Sequence, residues 1–210
     1  MTRGSSLPDG RADLASAAET PVPVRTGLLA DRSFVEVRFG GSGGQGVLLM
    51  GVVLAVAANH DHRSVVQTET YGPEARGGSS RSDVIISDQA IDYPKLDSAD
   101  LLLALSVPAA NNFIKSLRRT GVFIYDSGLI KEPPAFAGTT VGIPFSRLAK
   151  EEIGRVQTAN SLALGAVVGL SGIVSVDSLR KAIIEAVPAG TEDINAKALA
   201  RGLQAAAEWQ

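Results

Sequence analysis

From residue 34 to residue 58 an alternating apolar segment (Val35, Val37, Phe39) runs into the glycine-rich stretch 40–46, which opens directly into the apolar run 47–58. A strand, a tight loop and a helix in that order leave few folds available. Glycine removes the Cβ that blocks a sharp turn or a close backbone approach. The helix that follows aims free N–H groups and a partial positive charge at whatever lies above the loop. Gly41, Gly43 and Gly46 satisfy the dinucleotide fingerprint G-x-G-x-x-G, and Glu69 stands near where a ribose-binding acid is expected. Against a dinucleotide reading, no crossover helix follows Glu69. The stretch 70–81 comes instead, stiffened by Pro73 and loosened by Gly72, Gly77 and Gly78.

From residue 34 onward the pattern alternates strand, helix and strand, as in an α/β domain. Strands are expected over 34–39, 64–68, 82–87, 101–106, 122–126 and 139–141, with helices over 46–59 and 109–119. The continuous apolar runs LLLALS and VFIYDS suit strands covered on both faces. The last third reads as helical. Ser146 is placed to cap a short helix closing at Gly154, a small-residue helix covers 158–170, and Ser175 caps the next. Ile194, Ala198, Leu199 and Leu203 give a final amphipathic helix. The expectation is a Rossmann-like layered sheet with helices on both faces and a helical C-terminal part, one domain over 34–210. Residues 1–33, rich in Ser, Ala, Pro and Gly, read as a flexible leader.

Composition narrows the function. A formal charge of −2 carries no electrostatic footprint for nucleic acid. No apolar run reaches membrane-spanning length, and the leader lacks the apolar centre of a secretory signal, so a cytoplasmic chain is expected. The absence of cysteine excludes disulfides and thiolate-ligated iron–sulfur clusters within this chain. His60 and His62, two apart with no third ligand nearby, make a poor metal pair. Asp83, Asp88 and Asp92 read as solvated or capping, and no histidine is placed to activate Ser106, Ser127 or Ser161. Asn160 suits a helix cap or a hydrogen bond across a subunit boundary. Glu74 and Arg76 can form a local ion pair; equally, Gly77 and Gly78 admit a ligand while Arg76 and Arg81 supply forked donors to phosphate or carboxylate.

Four ordered segments carry a resemblance: GGSGGQG; VVQTETYGPEARGGSSRSDVIISD; IDYPKLDSADLLLALS; and GIPFSRLAKEEIG with TANSLALGA. Together, over about 35–202, they resemble the gamma subunit of 2-oxoacid:ferredoxin oxidoreductases, most of all the 2-oxoglutarate type. The resemblance implies a subunit, inactive alone, of an enzyme converting a 2-oxoacid and CoA to acyl-CoA and CO2 with reduction of ferredoxin. It implies thiamine diphosphate, Mg2+ and iron–sulfur clusters held by alpha, beta and ferredoxin-like partner subunits. The backbone at Gly41, Gly43, Gly44 and Gly46, with the Gln45 side chain, is then expected to hold a phosphate of CoA. In that reading Arg76 meets an anionic group, Glu74 orients it, and Gly77, Gly78 and Arg81 complete the second loop. The alternatives are an aryl- or branched-chain 2-oxoacid enzyme, a stand-alone nucleotide-binding protein, and a purely structural subunit whose loops scaffold an interface.

Overall fold

A computed structural model describes residues 27–70 and 79–209. Six apolar segments form one mixed sheet: β1 (Phe34–Ser42), β2 (Ser64–Thr70), β3 (Ser79–Ser87), β4 (Ala99–Ala104), β5 (Leu117–Asp126) and β6 (Thr139–Ile143). The strand order is β2-β3-β1-β4-β5-β6. Strands β1, β4, β5 and β6 run parallel, whereas β3 is antiparallel to both β1 and β2. The helices are α1 (Val47–His60), α2 (Val107–Phe113), α3 (Phe145–Leu148), α4 (Ala159–Ser171), α5 (Val176–Ala186) and α6 (Glu192–Glu208).

Side-chain alternation along each strand divides the core into two layers. Val35, Val37, Phe39, Val84, Ile86, Leu101, Leu103, Val122 and Ile124 face a large core completed by α1, α4, α5 and α6. Ile85, Leu102, Ala104 and Phe123 face a smaller one with Ala110 of α2, Leu96 and Ile130. The expected α/β layering, with helices on both faces and a helical C-terminal part, is what forms. Helix α4 uses its small residues to approach α6 backbone to backbone. A Cβ on Gly202 would lie 2.0 Å from the Leu162 carbonyl oxygen, and one on Gly165 would lie 2.4 Å from that of Leu199.

Several local expectations are corrected. Strands β1 and β3 extend to Ser42 and back to Ser79, because these glycine- and serine-rich ends pair with each other. Helix α2 stops at Phe113 rather than continuing to 119, since Leu117–Asp126 is drawn into the sheet beside β4. Ser146 does not cap α3; its N–H (2.9 Å) and Oγ–H (2.6 Å) donate to the buried Asp126 carboxylate. Residues 27–33, compositionally part of the leader, pack on the end of α4. Leu28 and Leu29 donate their N–H groups to the carbonyls of Leu170 and Ser171, both at 2.9 Å, and Leu29 is buried. Residues 1–26 lie outside the described residues.

Asp83 is not solvated. It accepts Nε–H (2.7 Å) and Nη2–H (2.8 Å) from Arg38, its direct neighbour across the β1–β3 ladder. The two side chains are only 6% and 5% exposed. Arg38 also donates to Ser116 Oγ and lies 5.7 Å from the Phe113 ring centre. A forked pair of this geometry satisfies both charges, but removing one partner strands the other in a dry layer. A second network links Glu36, Arg118, Asp100 and Arg32 toward the start of β1. There burial raises the Glu36 carboxyl above its ordinary value despite the attraction of Arg118.

Asp61, just past α1, fastens that helix to the start of α5. It accepts the Ser175 N–H (2.6 Å), the Ser175 hydroxyl (2.7 Å) and the Ser178 hydroxyl (2.6 Å). Burial pushes its carboxyl up, but these hydrogen bonds and Arg63 together outweigh burial and hold it below its ordinary value.

Two predictions follow from these charges. Asp83→Ala should cost about 3–5 kcal/mol in urea denaturation, the penalty of an orphaned buried guanidinium, and Arg38→Met in the same chain should recover most of it. The Asp61 contribution has the sign of a depressed acid, present above the unfolded carboxylate value of about 4 and lost as pH falls through the lower folded value. The melting-temperature gap between the wild type and Asp61→Asn should therefore narrow from about pH 6 to about pH 3. A gap independent of pH would exclude that role.

Candidate functional site

The sheet order reverses between β1 and β4: from β1 the chain goes to β2 and β3 on one side, and only then to β4 on the other. Open α/β sheets bind ligands in the crevice beyond the strand C-termini at such a point. Here that crevice is lined by the loop after β1, the Leu105–Ser106 turn after β4 and the first residues of α4.

The loop after β1 is held by its one long polar side chain. Gln45 Oε1 accepts the Ser42 N–H (2.6 Å), and Gln45 Nε2 donates to the Leu105 carbonyl (2.9 Å). Leu105 N–H in turn donates to the Gly40 carbonyl (2.8 Å). Gln45 therefore closes the loop onto the end of β4, and its amide is committed at both ends. Gly46 begins α1 in the left-handed conformation (φ +68°), and a Cβ there would lie 2.0 Å from Asn160 Nδ2. Asn160 is thus at the start of α4 but packs across the loop, with no hydrogen bond from its amide to another described residue.

The exposed part of the loop is backbone. Gly43 and Gly44 have nothing within 4 Å of a built Cβ. Their N–H groups, like that of Gly46, find no acceptor among the described residues, and the first turn of α1 adds N–H groups of its own. No acidic side chain lies in that first turn. The result is a set of unpaired N–H donors at the positive end of a fourteen-residue helix. Its described side chains, Ser42, Gln45, Ser106 and Asn160, are all neutral. Such a surface can bind and orient an anion, but it offers no acid or base.

Gly41, Gly43, Gly44, Gln45 and Gly46 thus come together. Arg81 stands apart. It belongs to β3, opposite Gly40, on the sheet face covered by α2, where its Nε lies 3.6 Å from Asp83 Oδ2. Its side chain is partly exposed. Glu74, Arg76, Gly77 and Gly78 lie outside the described residues, although the ladder places Ser79 directly opposite Ser42. Glu69 lies on edge strand β2, with β3 between it and β1, and accepts a hydrogen bond from Gln67 (3.2 Å). The acid of a dinucleotide site belongs on the strand beside β1, so the fingerprint lacks its structural context. What the sequence did not reveal is the part played by Gln45 and Asn160 in shaping the loop. Glutamine inside a glycine run, followed far downstream by Asn at a small-residue helix start, was the available signal.

No group of three His, Asp or Glu side chains suited to a metal ion occurs among the described residues, and no helix there is long and apolar enough to cross a membrane. At the opposite edge of the sheet a cavity of about 330 Å3 is lined by Arg32, Asp61, Arg63 and Asp88. Its charges already serve the fold: Arg63 reaches Asp88 (2.7 Å) and the carbonyls of Ile173 and Arg32.

Residues 36–205 match the family described as pyruvate ferredoxin/flavodoxin oxidoreductase. The 2-oxoglutarate synthase subunit KorC of Methanocaldococcus jannaschii is 44% identical over 176 residues, covering 82% of this chain and 94% of that one. The ketoisovalerate oxidoreductase subunit VorA of Methanothermobacter thermautotrophicus is 38% identical over 83% of this chain, but the match spans only 36% of that longer protein. Among solved structures, the gamma subunit of a keto/oxoacid ferredoxin oxidoreductase from Geobacter sulfurreducens is 40% identical, with a TM-score of 0.76 over 83% of this chain and 99% of that one. With that fold, and with these identities along nearly its whole described length, the chain belongs to the pyruvate ferredoxin/flavodoxin oxidoreductase family, as a gamma subunit of the 2-oxoacid:ferredoxin type.

Proposed function

We propose that this gamma subunit serves an enzyme converting 2-oxoglutarate and CoA to succinyl-CoA and CO2, with ferredoxin as electron acceptor. The observation that carries the reading is the 44% identity to a 2-oxoglutarate synthase subunit across 94% of that subunit. The similarity to a ketoisovalerate oxidoreductase favours a branched-chain 2-oxoacid as the second reading. When bound in such an enzyme, thiamine diphosphate stabilises the carbanion left by decarboxylation. A chain without cysteine leaves iron–sulfur clusters to partner subunits, and thiamine diphosphate with its Mg2+ is assigned to the alpha and beta subunits. The complex is placed in the cytoplasm.

The role assigned to this chain is binding. The N–H groups at Gly43, Gly44 and Gly46 hold a phosphate group of CoA against the positive end of α1. Arg76 supplies a forked, charge-assisted contact from the neighbouring loop, with Glu74 orienting it. Gly77 and Gly78 allow the approach, and Arg81 adds positive potential from the far side of β1. Gln45 keeps the donors in place rather than meeting the ligand, since its amide is already used in closing the loop.

The test is anoxic co-purification of the chain with its partner subunits, followed by dye reduction dependent on 2-oxoacid and CoA. Turnover with 2-oxoglutarate well above that with 2-oxoisovalerate or pyruvate is the expected result; the reverse order selects the second reading. In the same complex Arg76→Ala should raise the KM for CoA about tenfold, the loss of one charge-assisted contact, with assembly and kcat at saturating CoA retained. Failed assembly, with ordinary CoA kinetics in whatever complex survives, would assign the loop to scaffolding instead.

A further inference from the structure

A second concave surface opens on the same edge of the sheet, beyond the C-termini of β5 and β6. It encloses about 680 Å3, within the range of small-molecule sites. Its frame is rigid because the fully buried Asp126 holds both walls. The carboxylate accepts the Gly128 N–H (2.8 Å) from one wall and the Ser146 N–H (2.9 Å) and hydroxyl (2.6 Å) from the other. The Ser127 N–H donates to the Ile143 carbonyl (3.1 Å) and ties the two strand ends together.

Onto this frame the sequence places Lys131, Arg147 and Lys150, against one lining carboxylate, Glu151. Lys131 gives one hydrogen bond to the Ser127 carbonyl (3.1 Å), which leaves its other protons free. Arg147 and Lys150 make no hydrogen bond or ion pair among the described residues. Glu152, the next acid along, is taken by Arg201 (2.6 Å), although Arg147 helps to hold its carboxyl below the ordinary value. The local excess of positive charge contrasts with a chain that is −2 overall. Leu129, 46% exposed, and Pro144 give the groove an apolar wall beside its cations. Three cations and two apolar residues lining one groove match a ligand that carries both a phosphate and a ring.

We infer that this groove is a binding site for a phosphate-bearing small molecule of nucleotide type, distinct from the glycine loop. Lys131, Arg147 and Lys150 hold the phosphate, and Leu129 with Pro144 supports the ring. With strands spaced by roughly 4.8 Å, the end of β5 lies two positions from that of β1 and the end of β6 three. The glycine loop and the groove are therefore separate sites on one edge. The phosphate has two chemically equivalent sources: a free nucleotide, or the 3′-phosphate arm of a CoA whose other end lies at the glycine loop. Only the second rests on the proposed function.

Calorimetric titration of the full-length chain at low salt, with pyrophosphate, AMP, CoA and dephospho-CoA, tests the assignment. The double variant Arg147→Glu/Lys150→Glu changes exposed side chains, so its melting temperature should match the wild type. Pyrophosphate and AMP should bind the wild type at least about tenfold more tightly than the double variant, the scale of one or two charge-assisted contacts. Lys115→Glu, in the turn that follows α2 and outside the lining of the groove, should leave both affinities unchanged. If CoA outbinds dephospho-CoA in the wild type but not in the double variant, the phosphate is the CoA arm. If CoA and dephospho-CoA bind equally while AMP binding needs the cations, the ligand is a free nucleotide. Equal pyrophosphate and AMP affinities in the wild type and the double variant would overturn the site, as would an equal loss in Lys115→Glu. Arg76→Ala tests the glycine-loop reading separately, because pyrophosphate binding at the groove should survive it.

Discussion

The antiparallel ladder between β1 and β3 governs the arrangement of this subunit. It runs unbroken from Phe34 opposite Ser87 to Ser42 opposite Ser79, and the Arg38–Asp83 pair lies within it. A side-chain period of two means that a one-residue slip of either strand would turn its own charge, Arg38 or Asp83, into the large apolar core, expel Val37 or Val84 with it, and leave the other charge unpaired. The buried charges thus penalise every register but one. That register brings the end of β1 and the beginning of β3 level. The glycine loop consequently leaves the sheet beside Ser79, the first residue of β3, although the two are distant in sequence.

The same ladder explains why the glycine fingerprint misleads. In a dinucleotide fold the strand after the first helix lies parallel beside β1 and delivers its acid to the ribose. Here β3 takes that place and β2 is displaced to the edge, carrying Glu69 with it. The loop retains what any glycine-rich turn into a helix has, an array of N–H donors and a dipole, without the specificity element of a nucleotide site. Local composition encodes the turn. The neighbour of β1 is a long-range outcome that no spacing within the motif determines.

Much of the architecture was nevertheless legible. The alternation in β1, the two continuous apolar runs that become β4 and β5, and the apolar α1 gave the layers, because burial on one or both faces leaves a direct imprint on sequence. The errors fall where a local signal competed with a distant partner. Ser146 looks like a helix cap, but the carboxylate twenty positions upstream, Asp126, is the stronger acceptor. Asp83 looks solvated because aspartate usually is, and only the fold brings Arg38 across from it. Residues 114–119 continue the apolar spacing of α2, but Ile114–Ser116 close the helix in a single tighter turn and 117–119 become strand, since pairing with β4 rewards Leu117–Asp126 more than another α-helical turn would. At the candidate site the glycines were legible as a loop, whereas the latch made by Gln45 and the packing of Asn160 depend on β4 and α4.

The chemistry left to this chain follows from what surrounds the loop. Ser42, Gln45, Ser106 and Asn160 carry no titratable group, so a proton cannot be held or moved there at neutral pH by the described side chains. Backbone N–H groups and a helix dipole are fixed in orientation and need no reorganisation when an anion arrives. They are also indifferent to pH, unlike histidines or carboxylates. Under the proposed role, such a surface would hold an anion with an affinity that stays constant while ionisation states change elsewhere in an assembly. Gln45 suits such a surface, because a neutral side chain closes the loop without adding a charge. An acid at position 45 could still accept the Ser42 N–H, but it would lose the donor to Leu105 and place a negative charge beside the unpaired N–H groups of the loop.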